Sequence, residues 1–202
     1  MKLVFATLYV CGGVYSPREL GLWLRQFGDN PTAVVLVGNC HVGSLEGTFV
    51  HRVDFPRKQH LKSATRYRYL RAKFELWALP FERVVYYDVD VLVKNPVGRC
   101  QKLCTSSFCA VRDPVATWPI KSKTYFNGGF MVLTPSKSVY RRLMMTHPER
   151  SKYAEQDTLN KFFAGQWQKL PRECNWLHHD ENHPGAVSDD NVFAVHSKGL
   201  LK

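Results

Sequence analysis

The chain has 202 residues, 45% hydrophobic and 22% charged, with a formal net charge of +11. That size and balance suit one soluble α/β domain with a sizeable core, and they exclude a disordered, fibrous or disulfide-dense miniature scaffold. The positive excess favours anionic partners without choosing among nucleic acid, acidic lipid and phosphorylated small molecules.

The chain opens on MKLVFATLYVCGG. One lysine, a short apolar stretch and small residues give it the look of a signal peptide. A buried first strand over 3–10, closed by the Gly12-Gly13 turn, is the better reading. No other stretch approaches the ~18 apolar residues that span a bilayer. The expectation is therefore a cytoplasmic protein, soluble or peripheral at a membrane. Ser16-Pro17-Arg18-Glu19 places an N-cap, a proline at the first helical position and an acid at the third, predicting a helix from Ser16 to about Phe27. AVVLVG (33–38) predicts a second buried strand.

Between Arg52 and Lys73, eight basic residues face one acid, Asp54, so part of the charge excess is local. Apolar Leu61, Ala64, Tyr67, Leu70, Phe74 and Trp77 recur at helical spacing over 60–79, and Pro80 ends the run. VVYYDVDVLV predicts the third strand. Strand, helix, strand, helix, strand is the pattern of a doubly wound, mostly parallel sheet. Later elements read as mixed: a strand near 108–111, FNGGFMVLTPS (126–136), helices over 138–146 and 154–163, and a last strand, NVFAVH (191–196). With no repeat, low-complexity tract or linker, one domain spans 1–202. Six cysteines occur, and Cys100-x3-Cys104-x4-Cys109 invites a zinc reading, but no histidine nearby completes a tetrahedral set. Reduced thiols are the expectation.

Asp88 and Asp90 pose the sharpest question. In a continuous strand, residues two apart share a face. Two carboxylates that close do not both ionise in a dry site without a cation. Open α/β sheets bind ligands at the carboxyl ends of their strands. A bend near Asp88 would put the pair at that crevice, where Mg²⁺ or Mn²⁺ bridges carboxylates to phosphates. A bare D-x-D is common by chance; four apolar residues before it and three after raise its weight.

RAKFELWALPFERVVYYDVDVLVKNP resembles the donor-site segment of family 8 glycosyltransferases, the glycogenin-like and bacterial lipopolysaccharide galactosyltransferase-like enzymes. Five more segments match in order: FATLYVCGGVY, TYFNGGFMVLTPS, YAEQDTLNKFF, WQKLPRECN and AVHSKGLLK. The resemblance implies a GT-A fold, a Rossmann-like nucleotide-binding α/β architecture with a central mixed, mostly parallel sheet flanked by helices. About 1–96 would be the nucleotide-binding half and about 97–202 the acceptor and catalytic half. It implies retaining transfer of a hexose from a nucleotide diphosphate sugar, usually UDP-linked, to a glycan, glycoprotein or other hydroxyl acceptor, with Mn²⁺ as cofactor and Mg²⁺ as the alternative.

Residue by residue, the resemblance assigns Asp88, Asp90 and His196 to the metal. It assigns Thr7, Leu8, Tyr15, Arg66, Lys73, Asp88, Val89, Asn127, Gly128, Gly129, Glu155, Gln156, Gly199 and Lys202 to the donor. Glu155, Gln156 and Asp157 would carry the chemistry. Gln156 matches the residue nearest the reacting carbon and is a poor nucleophile, which favours front-face attack. Two departures stand out: Glu155 replaces an aspartate, and Gly128 stands where serine or alanine is usual. The HHDENH run (178–183) reads as a surface loop near the acceptor rather than a metal site. Two other readings compete. A basic nucleic-acid-binding module would use the Arg52–Lys73 cluster, but no RNP-like aromatic motif or KH-type loop accompanies it, and no nucleic-acid partner is expected. A sugar nucleotidyltransferase would need a glycine-rich G-x-G-T-R-like loop, which CGGVYSPREL lacks.

Overall fold

The computed structural model describes residues 3–38, 40–53, 71–94, 98–113, 124–146, 154–177 and 192–196. Strands β1 (Leu3–Val10) and β2 (Thr32–Val37) form where the apolar runs predicted them and pair in parallel, Ala6 opposite Ala33. All six residues of β2 are buried, as a strand covered on both faces requires. Helix α1 (Pro17–Arg25) starts on the predicted capping box: Ser16 Oγ accepts from the Glu19 N–H, and the Glu19 carboxylate accepts from the Ser16 N–H at 2.6 Å. Its Leu20 and Trp23 are buried in the core.

Strand β3 (Thr48–Val53) lies outside β2, also parallel. It has no continuous apolar run, only intermittent burial at the sheet edge, so hydrophobic patterning does not announce it. Of the helix expected over 60–79, the described part is helical but tightens towards its end, with 71–72 still α-helical. Residues Lys73–Ala78 form a 3-10 helix, while 54–70 lie outside the described residues. Lys73 through Trp77 are all buried. A segment enclosed on every side does not need the single apolar stripe of an amphipathic helix.

The third strand is not continuous. Strand β4 (Arg83–Tyr87) pairs with β1 and ends at Tyr87. The Asp88 N–H donates to the Gly129 carbonyl at 2.9 Å, and the Val91 N–H donates to the Asp88 carbonyl at 3.1 Å, closing a turn. Strand β5 (Val91–Val93) then joins a different sheet. This is the bend near Asp88 that would put the pair at the crevice, although apolar strand flanks it on both sides.

Helix α2 (Gly98–Leu103) leads to β6 (Phe108–Arg112) and β7 (Phe126–Leu133), then α3 (Lys137–Met145) and α4 (Ala154–Phe162). Three short strands follow, β8 (Gln168–Leu170), β9 (Trp176–Leu177) and β10 (Ala194–His196). The main sheet runs β3-β2-β1-β4-β7-β6-β8, with β7 antiparallel to both neighbours and the other pairings parallel. A small sheet, β5-β10-β9, sits beside it. Two apolar cores flank the main sheet. One gathers Trp23, Phe27, Tyr87 and Phe130; the other stacks Trp77, Phe108, Phe126 and Phe163.

The thiol expectation is corrected. All six cysteines are paired, as Cys11–Cys40, Cys100–Cys174 and Cys104–Cys109. Partners 29 and 74 residues apart meet because the fold joins distant segments, which spacing along the chain does not reveal. At Gly38 the backbone turns with φ +87°, a left-handed conformation that favours glycine, beside Cys11 of the first bridge. No described helix is long and apolar enough to cross a membrane.

Candidate active site

The break between β4 and β5 faces the carboxyl ends of β1 and β4. Leu8, Tyr15, Lys73, Asp88, Val89 and Glu155 line a cleft of about 200 Å³ there, with Asp90 beside them. Seven residues assigned from scattered segments, Asp90 among them, thus meet in one cavity.

Among the described residues, Asp88, Asp90 and His196 form a group whose ligand atoms all lie within 4.8 Å of one another. The pairing of β10 with β5 sets this up, with His196 opposite Val91. His196 Nε2 lies 3.3 Å from Asp90 Oδ1 and 3.8 Å from Asp88 Oδ2. Burial acts to lower the pKa of His196, but the hydrogen bond to Asp90 and the two carboxylate charges outweigh it and raise it. Asp90 is 6% exposed; burial pulls its pKa up, and His196 with the Tyr15 hydroxyl carries it below the ordinary value.

A divalent cation fits this group on two counts. Two carboxylates and an imidazole are the donor set of a hard or borderline ion. The site also draws positive charge onto His196, whose buried Nδ1 has no hydrogen-bond partner among the described residues. The ring packs where a Cβ would stand on Gly129, so any larger residue there would overlap it.

Two tyrosines orient the carboxylates. Tyr15 donates to Asp90 Oδ2 at 2.5 Å, and Tyr86 donates to Asp88 Oδ1. Burial, reinforced by the carboxylates they face, raises the pKa of both hydroxyls, so both remain donors.

Lys73 enters from the start of the 3-10 helix. Its Nζ lies 3.0 Å from Asp88 Oδ1, donates to the Gly128 carbonyl at 3.1 Å, and lies 3.9 Å from Glu155 Oε1. Burial acts to lower its pKa, but Asp88, Glu155 and Asp90 together hold it above the ordinary lysine value. It is a fixed cation.

The glycine pair within β7 joins Lys73 to α4. Gln156 Oε1 accepts from the Gly128 N–H at 2.8 Å, while Gln156 Nε2 donates to Asp113 Oδ2 at 2.8 Å. Asn127 Oδ1 accepts from the Gly129 N–H and from Asn175 Nδ2. Asp157 accepts from the Tyr125 hydroxyl, and Thr7 donates to the Tyr87 carbonyl at 2.8 Å, bracing β1 against the end of β4. Arg66, Gly199, Lys202 and the HHDENH run lie outside the described residues.

Asp113, Tyr86, Tyr125 and Asn175 escaped the sequence reading. Tyr86 carried a signal, since it sits two residues before Asp88 and so shares its side of the strand. Asp113 ends β6 without a motif of its own, and only the fold brings it to Gln156.

The sequence profile of glycosyl transferase family 8 matches residues 40–200. The chain is similar to galactinol synthase 1 of Solanum lycopersicum, 29% identical over 164 residues, covering 70% of this chain and 51% of that protein. It is also similar to UDP-glucuronate:xylan alpha-glucuronosyltransferase 2 of Arabidopsis thaliana, 27% identical over 155 residues, covering 68% and 23%. The chain thus spans about half or less of these relatives' lengths. Among solved structures, galactosyltransferase LgtC in complex with donor and acceptor sugar analogs superimposes with a TM-score of 0.66 at 16% identity, covering 98% of this chain and 87% of that one. The fold is GT-A.

Proposed function

The chain belongs to glycosyl transferase family 8, and from that premise we propose a retaining, divalent-cation-dependent hexosyltransferase. Its donor is a UDP-sugar, and its acceptor is a hydroxyl of a glycan or glycoprotein. The observation that carries this reading is the meeting of Asp88, Asp90 and His196 beside Lys73 in one cleft. The name of the Arabidopsis relative, which specifies a UDP-linked donor, supports the nucleotide.

Asp88, Asp90 and His196 would hold the cation, Mn²⁺ or Mg²⁺, which when bound offsets the charge of the leaving diphosphate. Lys73 adds a fixed positive charge where the leaving group's negative charge grows. Glu155, at the cleft wall, accepts from sugar hydroxyls. The carbonyl of Gln156, held by the Gly128 N–H, presents a partial negative charge to the oxocarbenium-like sugar. An amide is a poor nucleophile, so front-face attack is the step this residue suits. The donor-binding roles of Arg66, Gly199 and Lys202 belong to this proposal. The net charge of +11 suits an anionic acceptor or peripheral contact with an acidic membrane. The three disulfides support an oxidising compartment in place of the cytoplasm expected from the lack of a membrane-spanning stretch.

The test is thermal stability with UDP, GDP and CMP, each with and without Mn²⁺, in wild type and Asp90→Ala. A ligand that binds the native state raises the midpoint. A UDP shift that requires Mn²⁺ and vanishes in Asp90→Ala is the expected result. A GDP shift instead would retain the site and overturn the UDP donor. No shift with any nucleotide would overturn the reading.

A further inference from the structure

Gln156 has an amide whose two ends are nearly the same size and opposite in polarity. Which end faces the cleft decides whether the reacting sugar meets a carbonyl oxygen or an NH₂ group. The residue itself does not decide this; its neighbours do. Gly128 offers an N–H, which demands the oxygen, at 2.8 Å. Asp113 offers a carboxylate oxygen, which demands the NH₂, also at 2.8 Å. Both side chains are buried, Gln156 at 8% exposure and Asp113 at 6%, so water does not stand in for either partner. In the reversed amide both bonds would fail, with donor against donor at Gly128 and acceptor against acceptor at Asp113.

The oxygen so fixed lies near the ammonium of Lys73, a residue that lines the cleft. The position a Cβ would take on Gly128 is 3.6 Å from both Gln156 Oε1 and Lys73 Nζ. The carbonyl dipole and the ammonium therefore flank the same point. An NH₂ group there would set a second positive end beside Lys73 and oppose positive charge developing on the sugar.

We propose that Asp113 is a positioning residue that acts through Gln156, locking its amide so that the carbonyl oxygen faces the reacting sugar. This deepens the proposed glycosyltransferase reading and rests on it. Asp113 follows β6, and Gln156 lies in the first turn of α4, so the lock also fastens the second half of the sheet to the helix that lines the cleft.

The experiment uses hydrolysis of a UDP-sugar by the full chain with Mn²⁺, which needs no acceptor. Asp113→Asn keeps the shape but offers either polarity, so the reversed amide loses only the Gly128 partner. Because the Gly128 N–H by itself still favours the native amide orientation, turnover should fall by no more than about 2-fold, with the donor KM and the UDP-induced midpoint shift unchanged. A second pair of variants reads the contact itself. Gln156→Glu sets two carboxylates against each other and should lower the melting midpoint; adding Asp113→Asn restores a donor between them and should recover it. A fall of about 10-fold or more in Asp113→Asn would overturn a role confined to orienting Gln156, as would a loss confined to KM or a melting midpoint that the second substitution does not rescue. If wild type itself neither binds UDP nor hydrolyses any nucleotide sugar, the function falls first and this inference with it.

Discussion

The cleft has two walls of different construction. One runs from Lys73 through Gly128 and Gln156 to Asp113, and its polar groups answer one another within the protein. The other is the Asp88, Asp90 and His196 group, where negative charge gathers and the His196 Nδ1 is left without a partner among the described residues. The first wall rests on the main sheet. The second depends on three residues of β10 laid against three of β5. A wall already satisfied is rigid before any substrate arrives. A wall with surplus charge is completed by what binds to it. Pre-organisation on one side and a place for a cation on the other suit the proposed transfer, in which a diphosphate would leave.

Substitutions can break or sharpen that contrast. The largest effect is expected at Asp90. Asp90→Asn keeps the shape but removes a charge from the cation wall. Mn²⁺-dependent UDP binding should disappear in calorimetry, and turnover should fall at least about 100-fold. Lys73→Met strikes the other wall and leaves Asp88 beside an uncharged side chain. The expected loss of stability is about 3 kcal/mol, read from urea unfolding.

A smaller effect separates two neighbouring glycines. In Gly129→Ala the new methyl overlaps the His196 ring, so the ring must move, and Mn²⁺ affinity should weaken roughly 10-fold by direct titration. Gly128→Ala meets its neighbours at 3.6 Å, which is ordinary contact, and should change stability by no more than about 0.5 kcal/mol. Equal Mn²⁺ affinities in the two variants would dissolve the distinction between the walls.

Much of this fold was legible in the sequence. The run LVFATLYV gave β1 to the residue, and Ser16-Pro17-Arg18-Glu19 gave the start of α1, because strand burial and helix capping are local. The six matching segments carried the family, and the residues they assigned include Leu8, Tyr15, Lys73, Asp88, Val89, Asp90 and Glu155, which the fold then set around one cavity. Edge strand β3 and the short strands β8 and β9 were not legible, since a few half-buried residues leave no period to detect.

What the sequence determined by itself was therefore the set of local signals: which runs are buried, where helices begin, and which residue types could serve a metal and a diphosphate. The tertiary structure alone decided how distant groups meet. It ended β4 at Tyr87 and turned Asp88 and Asp90 into the cleft, because the Val91 N–H closes a turn on the Asp88 carbonyl and β5 pairs with β10. It chose one pairing of six cysteines among 15. It set Asp113 against Gln156, 43 residues away. Each of these is a contact between segments whose local sequences carry no record of the other, so its physical cause exists only once the sheet has assembled.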